Sequence, residues 1–153
     1  MISIENSLRE TTQIIAGVDL HCLLVNSPED LPALSNLAHF VGVKFSGLKN
    51  GTLTLAVPGD SAFDLAHRIL STATGSEFAA ENITVDLINN TLGELANMTA
   101  GHYLRKNGLA AASELFAPQL LNQSAVEAEI SGGTGLILCE YRAHRFEAIF
   151  AVA

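Results

Sequence analysis

The sequence predicts an α+β fold, in which long helices pack on an antiparallel β-sheet of about six strands. The predicted elements follow the order helix, strand, hairpin, helix, long helix, strand, hairpin. This order lacks the alternation of single strands and helices that builds parallel sheets, and strands joined by short turns pair antiparallel. With 153 residues the chain is close to the usual size of one domain, so we expect residues 1–153 to form a single domain.

The first predicted elements are a helix, a strand and a surface loop. Apolar residues at helical spacing predict a helix over residues 4–17, with Ser3 or Asn6 available as its N-cap. The apolar run 18–25 has the length of a strand. Residues 26–32 contain two prolines among loop-forming residues, which exclude both a continuing helix and a central strand.

A β-hairpin is predicted for residues 40–57, followed by a second helix. Apolar residues alternate with other residues on both sides of Asn50-Gly51, and the Asn-Gly pair tolerates the positive φ angles of a tight hairpin turn. Asp60 can cap a helix that continues to Thr72. The inner stripe of this helix is predicted to consist of Phe63, Ala66, Ile69 and Leu70.

The second half of the chain begins with the longest helical pattern, residues 82–107, which ends in basic residues. Residues 109–123 show no clear period and contain a proline that breaks any helix there. Residues 126–130 (VEAEI) alternate like a half-exposed strand. Two further strands, 136–141 and 146–152, complete the prediction.

Two pairs of segments suggest an internal repeat. Residues 8–17 and 92–101 agree at four of ten positions. Each of them is followed by a hairpin that ends in a similar strand, 52–57 in the first half and 146–152 in the second. Because ten residues of common types also match by chance, both duplication and coincidence stay open at this point.

Composition and charge exclude several classes of function. Eight Lys and Arg residues against sixteen Asp and Glu residues give a net charge of −8, which lacks the positive field that binds nucleic acid or acidic membranes. No apolar run approaches the roughly 18 residues that span a bilayer, and the N-terminus lacks a signal-peptide pattern. We expect a cytoplasmic protein with no nucleic acid or membrane as partner.

The cysteines, histidines and serines indicate no catalytic or metal site. Cys22 and Cys139 form neither a CxxC pair nor a disulfide framework, so we expect two buried thiols. The five histidines are scattered without metal-ligand spacing, and no serine lies in a GxSxG context. We therefore expect no metal and no other cofactor bound to this chain.

The long helix carries a polar stripe. Because successive helical side chains rotate by about 100°, Asn90, Asn97 and Gly101 fall within about 60° of Glu94. An apolar band falls nearly opposite, formed by Val85, Ile88, Leu92, Leu95, Thr99 and Tyr103. A solvated face is the simplest interpretation of the stripe, but glycine and asparagine are poor helix formers for that purpose. The composition favours a surface that another molecule approaches closely.

The same segment resembles a family signature. Residues 89–101 (NNTLGELANMTAG) have the form N-x-x-G-E-L-x-N-x-x-x-G, which resembles the ExxN signature of the CheC/CheX/FliY family of chemotaxis phosphatases. Residues 51–58 (GTLTLAVP) and the helix after them also resemble the family's strand-to-helix segment. The order of elements is most similar to the CheX members over residues 4–152, and this resemblance implies a CheC-like fold.

The resemblance also implies an activity and a partner. It implies hydrolysis of the aspartyl phosphate of a phosphorylated CheY-type response regulator, with Glu94 contacting a lysine of the regulator and Asn97 orienting the attacking water. Asn90, Met98 and Gly101 border these two positions and are candidates for partner binding. In the family the Mg²⁺ belongs to the regulator, so this chain would need no metal of its own. CheX-type relatives are often homodimers, which a final strand that is apolar on both faces would permit.

A second active site and the catalytic role itself are separate questions. Family members with two sites carry a second ExxN on the first helix, where this chain has Glu10 and Gln13. The extra methylene of glutamine displaces the amide by about a bond length, so we expect one active site.

The alternative function is a non-catalytic, receiver-binding adaptor or scaffold of the same fold. The charge of −8 attracts acidic receivers poorly, and residues 109–123 exceed what a compact family member would require.

Overall fold

Four α-helices and seven β-strands make up the computed structural model, which describes residues 1–25, 39–131 and 135–152. The helices are α1 (Ile4–Ala16), α2 (Gly59–Thr74), α3 (Val85–Lys106) and α4 (Gln123–Ser131). The strands are β1 (His21–Val25), β2 (His39–Gly47), β3 (Gly51–Val57), β4 (Ser113–Leu115), β5 (Gln119–Leu120), β6 (Gly135–Tyr141) and β7 (His144–Val152). Short 3-10 turns occupy Ala80–Asn82 and Ala110–Ala112. The predicted loop 26–32 lies outside the described residues.

The strands form one sheet with the order β1-β6-β7-β3-β2-β4, and β5 also pairs with β2. Every strand pair within the described residues is antiparallel. This architecture confirms the predicted α+β class with an antiparallel sheet. The count of about six strands becomes seven because residues 109–123 contribute two short strands beside β2, whereas residues 126–130 form a helix instead of the predicted strand.

The sheet order is symmetric in a way that supports an internal duplication. Exchanging β1, β2 and β3 with β4, β6 and β7 reproduces the same order from the other end. Each half supplies one hairpin to the centre, where β3 pairs with β7, and one short strand to the hairpin of the other half. The helices that carry the two similar segments, α1 and α3, pack against each other.

Three helices cover one face of the sheet. Leu8 on α1, Leu65 on α2 and Leu92 on α3 are fully buried in a core that they share with Leu53 and Phe146 of the central strands. Burying a leucine or phenylalanine side chain contributes about 1.5–3 kcal/mol, so this layer holds the helices in place. The register of α3 on the sheet is thereby fixed, and with it the direction of its exposed side.

The opposite face of the sheet is covered in part by α4, where the sequence predicted a strand. Val126 and Ile130 are buried against Ala56, Leu136 and Ile149. The prediction for residues 126–130 is wrong because apolar residues four positions apart fit one side of a helix as well as one face of a strand. The Asn122 side chain accepts a hydrogen bond from Ala125 N at 2.8 Å and caps the helix.

This helix also changes the interpretation of the last strand. The sequence places the apolar residues Ile149 and Ala151 on the outward face of this strand, so that the strand is either covered on both faces or lies at a subunit contact. In the structure Ile149 is fully buried beneath α4 within the same chain. Its apolar character is therefore explained without a dimer contact.

The β2–β3 hairpin is confirmed, but its turn differs from the predicted one. The register runs from His39 opposite Val57 to Phe45 opposite Gly51. The positive φ angle of 144° belongs to Gly47, whose backbone N–H donates to the Asn50 side chain at 3.1 Å. An added Cβ at Gly47 would lie 2.1 Å from the Ala112 carbonyl oxygen, so only glycine fits there.

Helix α2 is rotated relative to its predicted inner stripe. Ala66 and Ile69 are buried as predicted, but the inner face continues through Ala62 and Leu65. Phe63 is exposed and Leu70 is only half-buried. The cap was also wrong: the N-cap position is Pro58, and the Asp60 carboxylate accepts a hydrogen bond from the adjacent Ser61 N.

Helix α1 begins and ends where the sequence indicated. Ser3 is its N-cap and accepts a hydrogen bond from Asn6 N at 3.2 Å. Gly17 ends it in the left-handed region with φ 69°, where glycine is favoured.

The two cysteines face each other across β1 and β6. Cys22 and Cys139 are paired residues in the strand register, and their sulfur atoms lie 3.9 Å apart. Cys139 is buried, and burial raises the pKa of its thiol. Cys22 is only half-buried, which corrects the expectation of two buried thiols. Both cysteines are free thiols.

Helix α3 begins with a cap whose removal is measurable. The Thr84 hydroxyl accepts a hydrogen bond from Leu87 N at 3.1 Å. We expect Thr84→Ala to lower the free energy of unfolding by about 1 kcal/mol, because the first turn loses a partner for its free N–H groups. Urea denaturation measures this loss. The exposed control Thr72→Ser should change stability by less than about 0.5 kcal/mol, and equal losses in both variants would contradict the capping role.

Candidate functional site

The polar stripe of α3 lies outside the buried apolar band of the helix and borders the strands β4 and β5 at one edge of the sheet. Glu94 and Asn90 are exposed, whereas Asn97 and Gly101 are half-buried. The predicted apolar band is buried at Ile88, Leu92, Leu95, Thr99 and Tyr103. Val85 is the exception, because it occupies the first position of the helix, beyond the sheet, and is 65% exposed.

Glu94 and Asn97 are presented without internal partners. Neither side chain has a hydrogen bond or an ion pair within the part of the chain that the structure describes. Residues three apart on a helix lie side by side, so a carboxylate and a carboxamide project together from one surface. Met98, on the next position, is 37% exposed. The pair can therefore bind an external cation and an external hydrogen-bond donor at the same time.

A groove of about 240 Å³ lies next to Glu94. One wall is α3, and the other is the 113–121 segment, which contains β4 and β5 and borders the edge of β2. The lining residues are Val41, Asn89, Asn90, Gly93, Glu94, Pro118, Gln119 and Leu120. Residues 118–120, which lie in the region 109–123 for which the sequence predicted no helix or strand, thus form part of the candidate site.

Two glycines let this segment approach the helix. A Cβ added at Gly93 would lie 3.0 Å from Pro118 Cβ, so a larger residue would push the segment away from Glu94. A Cβ at Gly101 would lie 3.3 Å from Arg105 Nη1 and 3.7 Å from Leu115 Cδ2. The side chains that pack closely against Gly101 thus include Arg105 and Leu115 of the same chain. Gly93 was predicted to have no role of its own beyond its place in the ExxN signature, although a glycine inside a helix signals close packing.

A hydrogen bond joins the first turns of α3 to the sheet. His39, buried at the start of β2, donates from Nδ1 to Asn89 Oδ1 at 2.6 Å. The neighbouring Asn90 side chain faces the groove. The contact fixes one end of the groove, and it could not be predicted from local patterns because the two residues lie 50 positions apart.

Comparison with known proteins identifies the family. A model of the family described as chemotaxis phosphatase CheX matches residues 40–141. The chain belongs to the CheX family. The comparison with curated proteins gave no match.

Solved structures share the fold of this CheX-family chain. A CheX–CheY–BeF3–Mg²⁺ complex from Borrelia burgdorferi matches with a TM-score of 0.69 and 12% identity, covering 97% of this chain and 94% of the other. CheX proteins from Desulfovibrio desulfuricans and Vibrio vulnificus each match with a TM-score of 0.62 and 12% identity, covering 98% of this chain and 96% of theirs. These similarities confirm the CheC-like fold.

In this CheX-family chain, the α1 counterpart of the site is occupied by internal contacts. Glu10 Oε2 lies 2.9 Å from His102 Nε2. When the Gln13 amide is oriented so that its nitrogen faces the two neighbouring acceptors, that nitrogen donates to Asp19 Oδ1 at 2.7 Å and to the Val18 carbonyl oxygen at 3.0 Å. Both functional groups that would correspond to Glu94 and Asn97 are thus engaged, which adds a second physical reason to expect one active site.

The remaining polar groups hold the fold together. His67 contacts the Phe78 carbonyl oxygen at 2.8 Å, and His144 contacts Ser61 Oγ at 3.1 Å. Over residues 1–25, 39–131 and 135–152, no three His, Cys, Asp or Glu side chains are grouped as metal ligands. No helix in these ranges is long and apolar enough to span a membrane.

Proposed function

We propose that this chain is a phosphatase that hydrolyses the aspartyl phosphate of a CheY-type response regulator. The observation that carries the proposal is that Glu94 and Asn97, side by side on α3, have no hydrogen-bond or ion-pair partner within the described residues, in a member of the chemotaxis phosphatase CheX family. In this account Glu94 binds a lysine of the regulator and Asn97 enters the regulator's active site. Asn90, Met98 and Gly101 contact the regulator around them.

Such a phosphatase has to contribute few catalytic groups of its own. An acyl phosphate is already reactive, so the catalyst chiefly has to hold a water molecule in line with the departing carboxylate. The Asn97 carbonyl oxygen accepts a hydrogen bond from that water, and positioning of this kind is worth several kcal/mol. Mg²⁺ on the regulator neutralises the phosphoryl charge, so this chain supplies no metal. A carboxamide does not titrate, so Asn97 itself imposes no pH optimum.

The nature of the partner is supported by a structural relative. The Borrelia burgdorferi CheX was solved bound to CheY with BeF3 and Mg²⁺. By analogy, we propose a phosphorylated receiver as the partner here and the cytoplasm as the place of the reaction. The homodimer stays a prediction from the family resemblance, and sedimentation of a monomer at micromolar concentration would contradict it.

Binding and turnover measured together test the proposal against the adaptor alternative. The chain is titrated into a receiver with and without beryllium fluoride, and phosphate release is followed for the phosphorylated receiver. A phosphatase binds the fluoride-activated form more tightly and accelerates release. Equal binding to both forms without accelerated release would establish an adaptor and overturn the proposal.

The salt dependence of binding is a further prediction. The chain carries a net charge of −8, which gives no long-range attraction toward an acidic receiver. We expect recognition to depend on close contacts at the α3 face, so affinity should fall less than about three-fold between about 50 and 200 mM NaCl. Titration calorimetry measures this. A much steeper loss of affinity would show that charge steering dominates.

A further inference from the structure

We propose that Gln119 and Leu120, on the 113–121 segment, form a second contact surface for the receiver beside Glu94. The inference rests on the proposed function, in which Glu94 holds a basic side chain of the receiver. It adds a second contact surface, contributed by a part of the chain outside the ExxN helix. The occupant we assign to the groove is the hydrocarbon stem of that basic side chain.

The groove has two walls of different chemistry. The α3 wall is polar and carries Asn89, Asn90 and Glu94. The facing wall is Pro118, Gln119 and Leu120, and Leu120 is 67% exposed although it lies on a strand. An exposed leucine beside a polar groove is a surface that a partner can cover.

The second wall is fixed before any partner binds. Phe116 N donates to the Lys44 carbonyl oxygen, and Leu121 N donates to the Phe40 carbonyl oxygen, each at 2.9 Å. Between these two anchors, Pro118 packs against the helix at Gly93. The segment is therefore held on both sides of Gln119, and little ordering cost is left for binding.

The charge of the lining residues selects the occupant. Glu94 is the one charged side chain among the groove residues, and all the others are neutral. A lysine or arginine side chain fits this arrangement, because its methylene stem can pack on Pro118 and Leu120 while its charged end reaches Glu94. The side-chain oxygens of Asn90 and Gln119 can accept its remaining N–H groups. A residue without that stem would leave Leu120 exposed.

The test compares kcat and KM for phosphorylated receiver. We expect Leu120→Ser to raise KM by about ten-fold, and Gln119→Ala by about three-fold, while kcat changes by less than about two-fold. Leu48→Ser is the matched control, because Leu48 is 72% exposed in the β2–β3 turn and lies outside the groove. Thermal denaturation of all three variants checks that they remain folded. An unchanged KM in both groove variants would overturn the inference.

A double-mutant cycle tests whether Leu120 and Glu94 contact the same side chain. The dissociation constant of beryllium fluoride-activated receiver is measured for Glu94→Ala, Leu120→Ser and the pair. Contact with one shared side chain predicts that the combined loss is smaller than the product of the single losses. Fully independent losses would overturn the assigned occupant. Because binding is measured without turnover, failure of the phosphatase activity would be recognised separately.

Discussion

Replacing Asn97 by alanine is expected to lower the maximal rate of receiver dephosphorylation by about 100-fold, because the water loses the group that positions it. Binding should change little, since Glu94 and the groove remain. Release of inorganic phosphate at saturating receiver gives the rate, and titration with beryllium fluoride-activated receiver gives the affinity. Because Asn97 makes no internal hydrogen bond in the described residues, its removal should leave the fold intact.

Asn97→Gln is the most informative companion variant. It keeps the carboxamide but moves it by one methylene, as Gln13 does on α1. We expect a loss close to that of alanine, because positioning fails over about 1 Å. Asn82→Ala, on an exposed 3-10 turn, is the control. An undiminished rate in Asn97→Ala would remove Asn97 from the mechanism.

The second large effect is expected from Glu147 on β7. This residue is 2% exposed, and neither carboxylate oxygen has a hydrogen-bond partner among residues 1–25, 39–131 and 135–152. Burial raises the pKa of this carboxyl to about 7 from an ordinary value of 4.5, although the nearby Arg145 acts in the opposite direction. The folded state therefore retains its proton at pH values where the unfolded chain has released it.

The sign of the effect follows from this difference. The folded state binds more protons than the unfolded state between pH 4.5 and about 7, so stability falls as pH rises through that window and levels off above it. The difference corresponds to about 3 kcal/mol, since one pKa unit is about 1.4 kcal/mol. We expect Glu147→Gln to be more stable than the wild type by up to about that amount at pH 8 and nearly equal to it at pH 4.

Urea denaturation at several pH values checks the Glu147 prediction. The difference between the wild type and Glu147→Gln isolates this group from the other carboxylates. Glu140→Gln, on the exposed side of β6, should show no such difference. A Glu147→Gln effect that is equal at pH 4 and pH 8 would show that Glu147 does not titrate in this range.

The sequence was most informative where a helix has one buried side. The 3.6-residue period of α3 placed Leu92 and Leu95 in the core and Glu94 and Asn97 outside it. In the structure both leucines are buried, Glu94 is exposed and Asn97 is half-buried. Local signals also located the ends of α1, because Ser3 and Gly17 act on neighbouring backbone groups. Such information is contained in a few consecutive residues.

Features that depend on contacts between distant residues were missed or misread. The spacing of Val126 and Ile130 fits both a helix and a strand. The helix forms because it packs these two residues on an apolar patch of the sheet. The position of Gln119 beside Glu94 follows from pairing of β5 with β2. A segment as short as residues 126–130 or the two-residue strand β5 contains too little sequence pattern to specify which strand or sheet face it packs on. The second wall of the groove could therefore not be predicted.

Catalytic turnover of a receiver's aspartyl phosphate is measured most simply as a shortened lifetime of that phosphate. A receiver is phosphorylated, the excess donor is removed, and the decay is followed with the chain at about one-tenth of the receiver concentration. We expect the half-life to shorten at least about ten-fold and each chain to release several phosphates. A half-life that is unchanged with every receiver of the source organism would contradict the account.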